Sequence, residues 1–201
     1  MNTLQRRANP PSALILLVIT VITFFIQIGG LIEVTPFALW PLGTGFAPWQ
    51  LITYGFLHGG LMHLFLNMFA LYMFGPLIER AWGTKRFLVF YFVCLIGAGL
   101  VQLVVTAMMG VPRPTIGASG AMFGLLLAFG MLYPNERILL IFPPIPMRAK
   151  WFVVGYGALT LFFGITGTMA GVAHFAHLGG MIFGLALILF WGRRDFQRRR
   201  R

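Results

Sequence analysis

The stretch Phe87–Gly110 reads FLVFYFVCLIGAGLVQLVVTAMMG and contains 24 residues without one charged side chain. A helix needs about 20 mostly apolar residues to cross the hydrocarbon core of a bilayer. The whole chain has 201 residues, of which 59% are hydrophobic and only 9% are charged. Soluble domains carry about 25% charged residues, so this composition excludes an ordinary soluble enzyme, a disordered chain and a coiled coil. The sequence predicts a protein embedded in a lipid bilayer.

Six apolar runs follow one another along the chain and predict an all-α polytopic membrane protein with six transmembrane helices. The first run lacks a small-residue cleavage site and further spans follow it, so we interpret it as a span and not as a removed signal peptide. We expect one membrane domain over residues 11–191, with tails at 1–10 and 192–201. The runs are Pro11–Ile32, Gly59–Ile78, Phe87–Gly110, Ser119–Tyr133, Trp151–Thr168 and Ala173–Trp191.

Lysine and arginine are distributed unevenly between the two sides of the predicted bundle. With six spans, 14 of the 15 basic residues fall on the side of both termini, and Arg113 falls on the other. Cytoplasmic segments carry such an excess, so we expect both termini in the cytoplasm. The net charge of +11 is therefore interpreted as a topology signal, with Arg198–Arg201 at anionic lipid headgroups, and no nucleic-acid partner is expected. Because no organelle transit peptide is recognised, we expect a bacterial plasma (inner) membrane.

The first connection on the outer side of the membrane, Glu33–Leu57, is long and rich in aromatic residues. It contains Trp40, Trp49 and Tyr54 together with three prolines. Aromatic side chains at this density are typical of the membrane interface. We therefore expect this connection to lie partly in the outer leaflet.

Ser119 is one of only two serines in the chain and lies within the sequence GASG at residues 117–120. Flanking glycines let the backbone turn sharply and let another molecule approach closely. The apolar run that begins here has 15 residues; as a helix it spans about 22 Å, less than the hydrocarbon core of about 30 Å. Irregular backbone at membrane depth must be buried in protein or line a cavity. We therefore expect Ser119 at the floor of a cavity open to the outside, with helix capping as the alternative role.

His177 is the candidate base for this serine, because a serine nucleophile needs a group that accepts its proton. His177, Gly180 and Gly184 lie at positions i, i+3 and i+7 of one helix face. The two glycines let another helix pack closely, and packing against the helix of Ser119 would bring base and nucleophile together. His174 is the second candidate base, and a structural hydrogen bond is the alternative role for His177. No acid lies inside a predicted span, so a serine hydrolase here would use a Ser–His dyad; the acids are Glu33, Glu79, Glu136 and Asp195.

His63 and Asn67 are four residues apart on the second run and share one face of that helix. Histidine and asparagine side chains, together with backbone N–H groups, are suitable donors to an oxyanion. A polar pair that holds two helices together is the alternative role for these residues.

The order and placement of these residues resemble the rhomboid family of intramembrane serine proteases. The matching motifs are HGGLMHLFLN at 58–67, GASG at 117–120, and AHLGG at 176–180 with Gly184 beyond it. The resemblance covers nearly the whole chain and implies the six-helix core of that family. It also implies a serine endopeptidase that cleaves transmembrane protein substrates arriving from the lipid bilayer and that needs neither a cofactor nor a metal.

The resemblance implies a role for each residue of the predicted site. Ser119 corresponds to the nucleophile and His177 to its general base. Asn67, His63 and the backbone N–H of Ser119 correspond to the groups that stabilise the oxyanion.

Three further positions bear on the resemblance without belonging to the chemistry. Gln50 follows Trp49 where many members of the family have an arginine, which bears on how the first connection is held. Phe123 stands where some members have a tyrosine that packs under the base, and phenylalanine can still pack there. Glu79 with Gly83 resembles a structural pattern that follows the second span.

Three other functions fit parts of the sequence. A catalytically silent rhomboid-like chaperone or adaptor would use Ser119 only as a helix cap. A zinc metalloprotease would need an acid beside its histidines, whereas His58 and His63 lack one and are expected on different helix faces. A transporter would show paired halves, and the sequence shows none.

Overall fold

The computed structural model describes residues 11–110, 113–139, 145–167 and 173–198, with the side chains of the last segment described up to Gly192. The predicted tail at 1–10, the last three arginines at 199–201 and residue Thr168 at the predicted end of the fifth run lie outside the described structure. A 3-10 turn, Tyr54–Phe56, and two strands, β1 (Arg137–Leu139) and β2 (Pro146–Arg148), accompany the helices. The helices of the described part are α1 (Ser12–Ile28), α2 (Gln50–Thr53), α3 (Leu61–Trp82), α4 (Thr84–Met109), α5 (Ser119–Leu132), α6 (Ala149–Thr166) and α7 (His174–Arg198).

Four of the described helices are long and apolar enough to cross a membrane. They are α3, α4, α6 and the His174–Gly192 part of α7. The helices α1 and α5 are apolar but have only 17 and 14 residues, which at 1.5 Å per residue corresponds to about 26 and 21 Å. The architecture agrees with the predicted polytopic helical fold, whereas the number of six spans stays a prediction.

Two helix ends differ from the predicted boundaries for identifiable reasons. The helix α1 ends at Ile28 and not at Ile32, because Gly30 turns the backbone into the left-handed region at φ +70°. The backbone N–H of Leu31 then donates back to the carbonyl of Ile26 at 3.1 Å. The helix α3 continues past Ile78 to Trp82, because the next side chain, the acidic Glu79, is hydrogen-bonded within the protein.

Glu79 joins the beginnings of α1 and α4 to the end of α3. Its carboxylate accepts the backbone N–H groups of Ser12 at 2.9 Å and Ala13 at 3.0 Å, and the hydroxyl of Thr84 at 2.7 Å. The first N–H groups of a helix have no partner within the helix, and the helix dipole favours negative charge there. A side chain of α3 therefore caps α1 across 66 and 67 residues of sequence.

The connection between α5 and α6 contains a short antiparallel sheet, which the predicted helical architecture did not include. Strands β1 and β2 pair with Arg137 opposite Arg148. Each strand has only three residues, which is too short for an alternation of apolar and polar residues to be recognised in the sequence.

The helix α7 packs against both α4 and α5 through glycines. A β-carbon at Gly180 would overlap the backbone of Gly120 in α5. A β-carbon at Gly184 would lie 3.0 Å from the sulfur of Cys94 and from the ring of Phe90, both in α4. The predicted close packing of the α7 glycines is confirmed, but the two residues face two different helices.

Candidate active site

Backbone hydrogen bonds join the loop that leads to α5 to the first connection, Glu33–Leu57. The backbone N–H of Gly117 donates to the carbonyl of Tyr54 at 2.8 Å, and Gly117 adopts a φ of +118°, which favours glycine. Leu39 and Thr115 exchange two backbone hydrogen bonds of 3.0 and 2.9 Å. The backbone just before Ser119 is thus held by a segment that lies about 60 to 80 residues earlier in the sequence.

Ser119 is the first residue of α5 and carries a half-buried side chain. The N-cap position belongs to Ala118, and no side-chain hydrogen bond caps this helix. The capping role considered for Ser119 is therefore not observed. Its backbone N–H, like the others of the first helical turn, has no partner within the helix.

The imidazole of His177 meets this serine. Nε2 of His177 lies 2.7 Å from Oγ of Ser119, across the crossing of α7 and α5. This contact joins residues 58 apart in sequence, and the overlap-free crossing at Gly180 and Gly120 permits it. His174 lies one turn earlier with its ring centroid 6.2 Å from that of His177, and Ser119 is paired with His177 and not with His174.

A stack of aromatic rings packs against one face of the His177 imidazole. Phe123 lies one turn after Ser119 on α5, and its ring is 4.3 Å from the His177 ring at an interplanar angle of 11°. Tyr156 of α6 stacks on the other face of Phe123 at 4.9 Å and 13°. Phe152 continues the stack at 5.6 Å and 8°. Phenylalanine thus packs under the imidazole, as the resemblance led us to expect.

Asn67 lies on the opposite side of the site with a defined amide orientation. Its Nδ2 donates to the carbonyl of His63, one turn earlier in α3, at 2.8 Å. A carbonyl can only accept, so the amide nitrogen must face it, and the second N–H of that nitrogen remains available to another acceptor. The side chain is 5% exposed and lines the same cavity as Ser119 and His177.

His63 also lines this cavity, with one ring nitrogen engaged and the other close to the serine loop. The backbone N–H of Gly59 donates to Nδ1 of His63 at 3.3 Å. A β-carbon at Gly117 would lie 2.7 Å from Nε2 of the same ring. His63 thus turns its Nε2 edge toward the segment that ends in Ser119.

His58 is not on a helix face, contrary to the sequence interpretation, because α3 begins only at Leu61. Its ring meets that of His63 edge-on, with centroids 5.0 Å apart and an interplanar angle of 61°. The side chain is fully buried. Burial, with a contribution from His63, lowers the pKa of His58 to about 4, so this imidazole is neutral near pH 7.

A cavity of about 1270 Å³ connects these residues. Its floor is α5, and its walls include α3 on one side and α6 on the other. Most of the lining beyond the site is apolar; it includes Leu66, Phe69, Phe74, Leu126, Phe152 and Phe163. In the described part of the chain, no three side chains of the types His, Cys, Asp and Glu come together as metal ligands.

Gln50 holds the centre of the first connection. Its carbonyl oxygen accepts the backbone N–H of Trp40 at 3.1 Å, and its amide nitrogen donates to the carbonyls of Pro36 at 3.3 Å and Gly45 at 3.1 Å. The side chain is only 2% exposed. A neutral amide thus satisfies three backbone groups of the loop where many relatives were expected to use an arginine.

Sequence reasoning named Ser119, His177, His63 and Asn67, and the structure brings all four to one cavity. From the sequence, Tyr54 was expected only as part of an interfacial connection, and the hydrogen bond from Gly117 to its backbone carbonyl was not predicted. A backbone carbonyl leaves no signal in the sequence, so this contact could not have been found there.

Comparison with known proteins agrees with this arrangement. The family model described as Rhomboid domain matches residues 45–194. Rhomboid protein 1, mitochondrial, of Saccharomyces cerevisiae is 32% identical over 138 residues, which are 68% of this chain and 40% of that protein. Rhomboid protease GlpG of Yersinia pestis is 27% identical over 204 aligned positions, which cover 98% of this chain and 68% of that protein. The matched residues therefore cover well under two thirds of the yeast relative, and this chain is a multi-pass membrane protein that belongs to the rhomboid family.

Proposed function

We propose that this protein is an intramembrane serine endopeptidase that uses a dyad of Ser119 and His177. The observation that carries the proposal is the 2.7 Å contact between Nε2 of His177 and Oγ of Ser119 at the cavity. A nucleophile and a base within hydrogen-bond distance are the minimum arrangement for acyl transfer. Relatives named as rhomboid proteases support the same class of reaction.

The proposed reaction has two steps. Oγ of Ser119 attacks the carbonyl carbon of a peptide bond while its proton moves to Nε2 of His177. The protonated His177 then gives that proton to the leaving amine as the C–N bond breaks, which leaves an acyl-enzyme on Ser119. A water molecule repeats the sequence: His177 takes its proton, the hydroxide attacks the ester, and the proton returns to Oγ of Ser119.

Three N–H donors are proposed to stabilise the oxyanion of the tetrahedral intermediates. They are the free N–H of Asn67, Nε2–H of His63 and the backbone N–H of Ser119. The last group points out of the first turn of α5, where the helix dipole also favours negative charge. Removal of one such donor raises the activation barrier of a serine protease by about 3–4 kcal/mol.

The dyad needs no carboxylate in this proposal. Among the acidic residues with described side chains, Glu79 is engaged at the beginning of α1, and Glu33 and Glu136 are outside the cavity lining. The stacked ring of Phe123 supports the orientation of His177 instead. Packing thus takes the orienting role that an acid has in a triad.

The proposed substrates are transmembrane segments of other proteins. The cavity is lined mainly by apolar side chains and runs along α5 between α3 and α6, so an apolar segment could lie in it with a peptide bond at Ser119. We further propose one membrane domain over 11–191, six membrane-embedded helices and cytoplasmic termini in a bacterial plasma membrane.

The proposal is tested with purified protein in lipid vesicles and a single-span protein substrate. Wild type is expected to cut the substrate, and Ser119→Ala and His177→Ala are expected to lose at least about a thousandfold in rate. Ser12→Ala is the matched control, because Ser12 is the other serine of the chain, and it is expected to retain activity. Fragments are identified by mass spectrometry, and a fluorophosphonate probe is expected to label wild type and Ser12→Ala but not Ser119→Ala.

Cleavage by Ser119→Ala at the wild-type rate would refute the nucleophile. Failure of wild type both to cleave and to react with the probe would favour the silent chaperone or adaptor.

The proposed orientation is tested separately with cysteines at exposed sites. Leu42 is 56% exposed, and Leu42→Cys is expected to react with an impermeant maleimide in intact cells. Arg137→Cys, in the exposed strand β1, is expected to react only after the membrane is opened. The native Cys94 is buried, so the parent protein serves as the unlabelled control, and the reverse pattern would overturn the orientation.

A further inference from the structure

Gln27, near the end of α1, pairs with the backbone of a residue that precedes α3. Its amide nitrogen donates to the carbonyl of His58 at 2.8 Å, and its amide oxygen accepts the backbone N–H of His58 at 3.2 Å. Two hydrogen bonds in opposite directions fix both the side-chain amide and the backbone that it contacts. The contact spans 31 residues of sequence.

The peptide unit that Gln27 holds is the same one that reaches His63. A peptide is planar, and in the trans form its carbonyl and its N–H point in opposite directions. The carbonyl of the His58–Gly59 peptide accepts from Gln27, and its N–H donates to Nδ1 of His63 at 3.3 Å. Gln27, one rigid peptide and the imidazole of His63 thus form a continuous chain of hydrogen bonds.

This chain determines which nitrogen of His63 carries the proton. A backbone N–H can only donate, so Nδ1 of His63 must present its lone pair. A neutral imidazole then carries its single proton on Nε2. The side chain of His58 does not supply this control, because its ring meets the His63 ring edge-on at 5.0 Å between centroids and, within the described residues, makes no hydrogen bond to it.

We propose that Gln27 is a positioning residue that holds His63 as an Nε2–H donor toward the serine loop. It acts through the His58–Gly59 peptide and touches neither the substrate nor Ser119. The inference rests on the proposed function, because the Nε2–H of His63 is one of the proposed oxyanion donors. The opposite tautomer would turn a lone pair toward the oxyanion and repel it.

A merely structural role for Gln27, in which it ties α1 to the connection, predicts a loss of stability without a change at His63. The two roles are separated by nitrogen-15 NMR of histidine-labelled protein in lipid, because protonated and unprotonated ring nitrogens have well-separated shifts. His63→Asn assigns the His63 signals. The variants are Gln27→Leu, which removes both hydrogen bonds, and Gln27→Glu, which as a carboxylate accepts from the N–H of His58 but cannot donate to its carbonyl.

The wild type is expected to show His63 unprotonated at Nδ1 and protonated at Nε2. Gln27→Leu and Gln27→Glu are expected to show a second population with the proton on Nδ1. Thr23→Val is the matched control, because the Thr23 hydroxyl is exposed and bonds only within α1, and it is expected to keep the wild-type spectrum. A wild-type His63 protonated at Nδ1, or an unchanged His63 in the variants, would overturn the inference. If Gln27→Leu does not fold, Gln27→Glu decides.

Cleavage kinetics give a second measurement. Both variants are expected to lose roughly tenfold in kcat with KM unchanged, which is part of the hundredfold or more that one oxyanion donor contributes. A rise in KM alone, or no change in kcat, would contradict the positioning role. If the wild type neither cleaves nor reacts with the fluorophosphonate probe, the proposed function fails, while the nitrogen shifts still decide whether Gln27 sets the tautomer.

Discussion

The two sides of the cavity are held in different ways. On the side of α3, polar groups fix the structure: Glu79 caps α1, Gln27 holds the peptide before α3, and Gln50 closes the first connection. On the other side, α6 is less buried: 17% of the residues in its apolar stretch are buried, against 33% in α3. The proposed dyad and oxyanion donors belong to the firmly held side and to α5 and α7. The contact between His177 and Ser119 is therefore made by α7 and α5, and α6 reaches it only through the stacked rings of Tyr156 and Phe123.

The difference follows from the residues of α6. Trp151, Val154, Phe162 and Ile165 are all more than half exposed, as suits a helix that faces lipid. Its contacts include the flexible Met181 side chain against Gly157 and the ring of Phe175 against Gly164. A shift of α6 would leave the contact between His177 and Ser119 in place, whereas a shift of α7 would separate them.

The largest effect is expected from a methyl group at the α5–α7 crossing. Gly180→Ala would overlap the backbone of Gly120, and backbone cannot be repacked like a side chain. We expect a loss of roughly 3–5 kcal/mol in the free energy of unfolding and a loss of cleavage. The measurement is unfolding in detergent followed by circular dichroism.

Gly155→Ala in α6 is the matched control for this substitution. A β-carbon at Gly155 meets no atom within 4 Å, and alanine is favoured over glycine in helices by up to about 1 kcal/mol. We expect unchanged or slightly raised stability. Equal losses in the two variants would contradict the difference between the two sides of the cavity.

Much of the site could be predicted because it depends on local spacing and one helix contact. Ser119 opens a short apolar run, and His177 shares a helix face with Gly180, so a single crossing brings them together. His63 and Asn67 are one turn apart on α3. The structure shows that His177 contacts Ser119 and that His63 and Asn67 line the same cavity. The catalytic roles of these residues stay predictions.

The remaining features could not be predicted because they rest on long-range backbone contacts. Glu79 accepts the backbone N–H of Ser12, 67 residues earlier, and the carbonyl of Tyr54 accepts the backbone N–H of Gly117. Such contacts have no periodicity, and any residue type offers the same carbonyl. The strand β1 was missed for a different reason, since three residues carry no recognisable pattern.

The next largest effect is expected from Glu79→Gln. The amide keeps one acceptor oxygen, but its NH₂ group then faces backbone N–H donors of α1. Hydrogen bonds to a charged group contribute about 1.5–3 kcal/mol each, so we expect a loss of about 3 kcal/mol in the free energy of unfolding. Glu136→Gln, in the connection that follows α5, is the control and is expected to change stability by less than about 0.5 kcal/mol.

A smaller effect is expected from Gln50→Leu. Three backbone groups of the first connection lose their partner, and an unsatisfied buried group costs about 1–3 kcal/mol. Because water can reach part of this loop, we expect a loss of about 2 kcal/mol in total. Ile52→Ala, at an exposed site of α2, is the control, and a Gln50→Leu protein as stable as that control would show that the loop is held elsewhere.

The smallest effect is expected where the two sides of the cavity meet, in the ring stack of His177, Phe123 and Tyr156. Phe123→Leu removes the flat support of the imidazole, and we expect kcat to fall by about threefold to tenfold, since stacked rings contribute about 0.5–1.5 kcal/mol. Tyr156→Leu touches the imidazole only through Phe123, so we expect a fall of about twofold. The double variant separates a direct effect from a transmitted one. If α6 acts on His177 through the stack, Tyr156→Leu changes nothing further once Phe123 is leucine. If the two effects multiply instead, the loosely packed helix influences cleavage by another route, and the ring stack does not connect it to the proposed base.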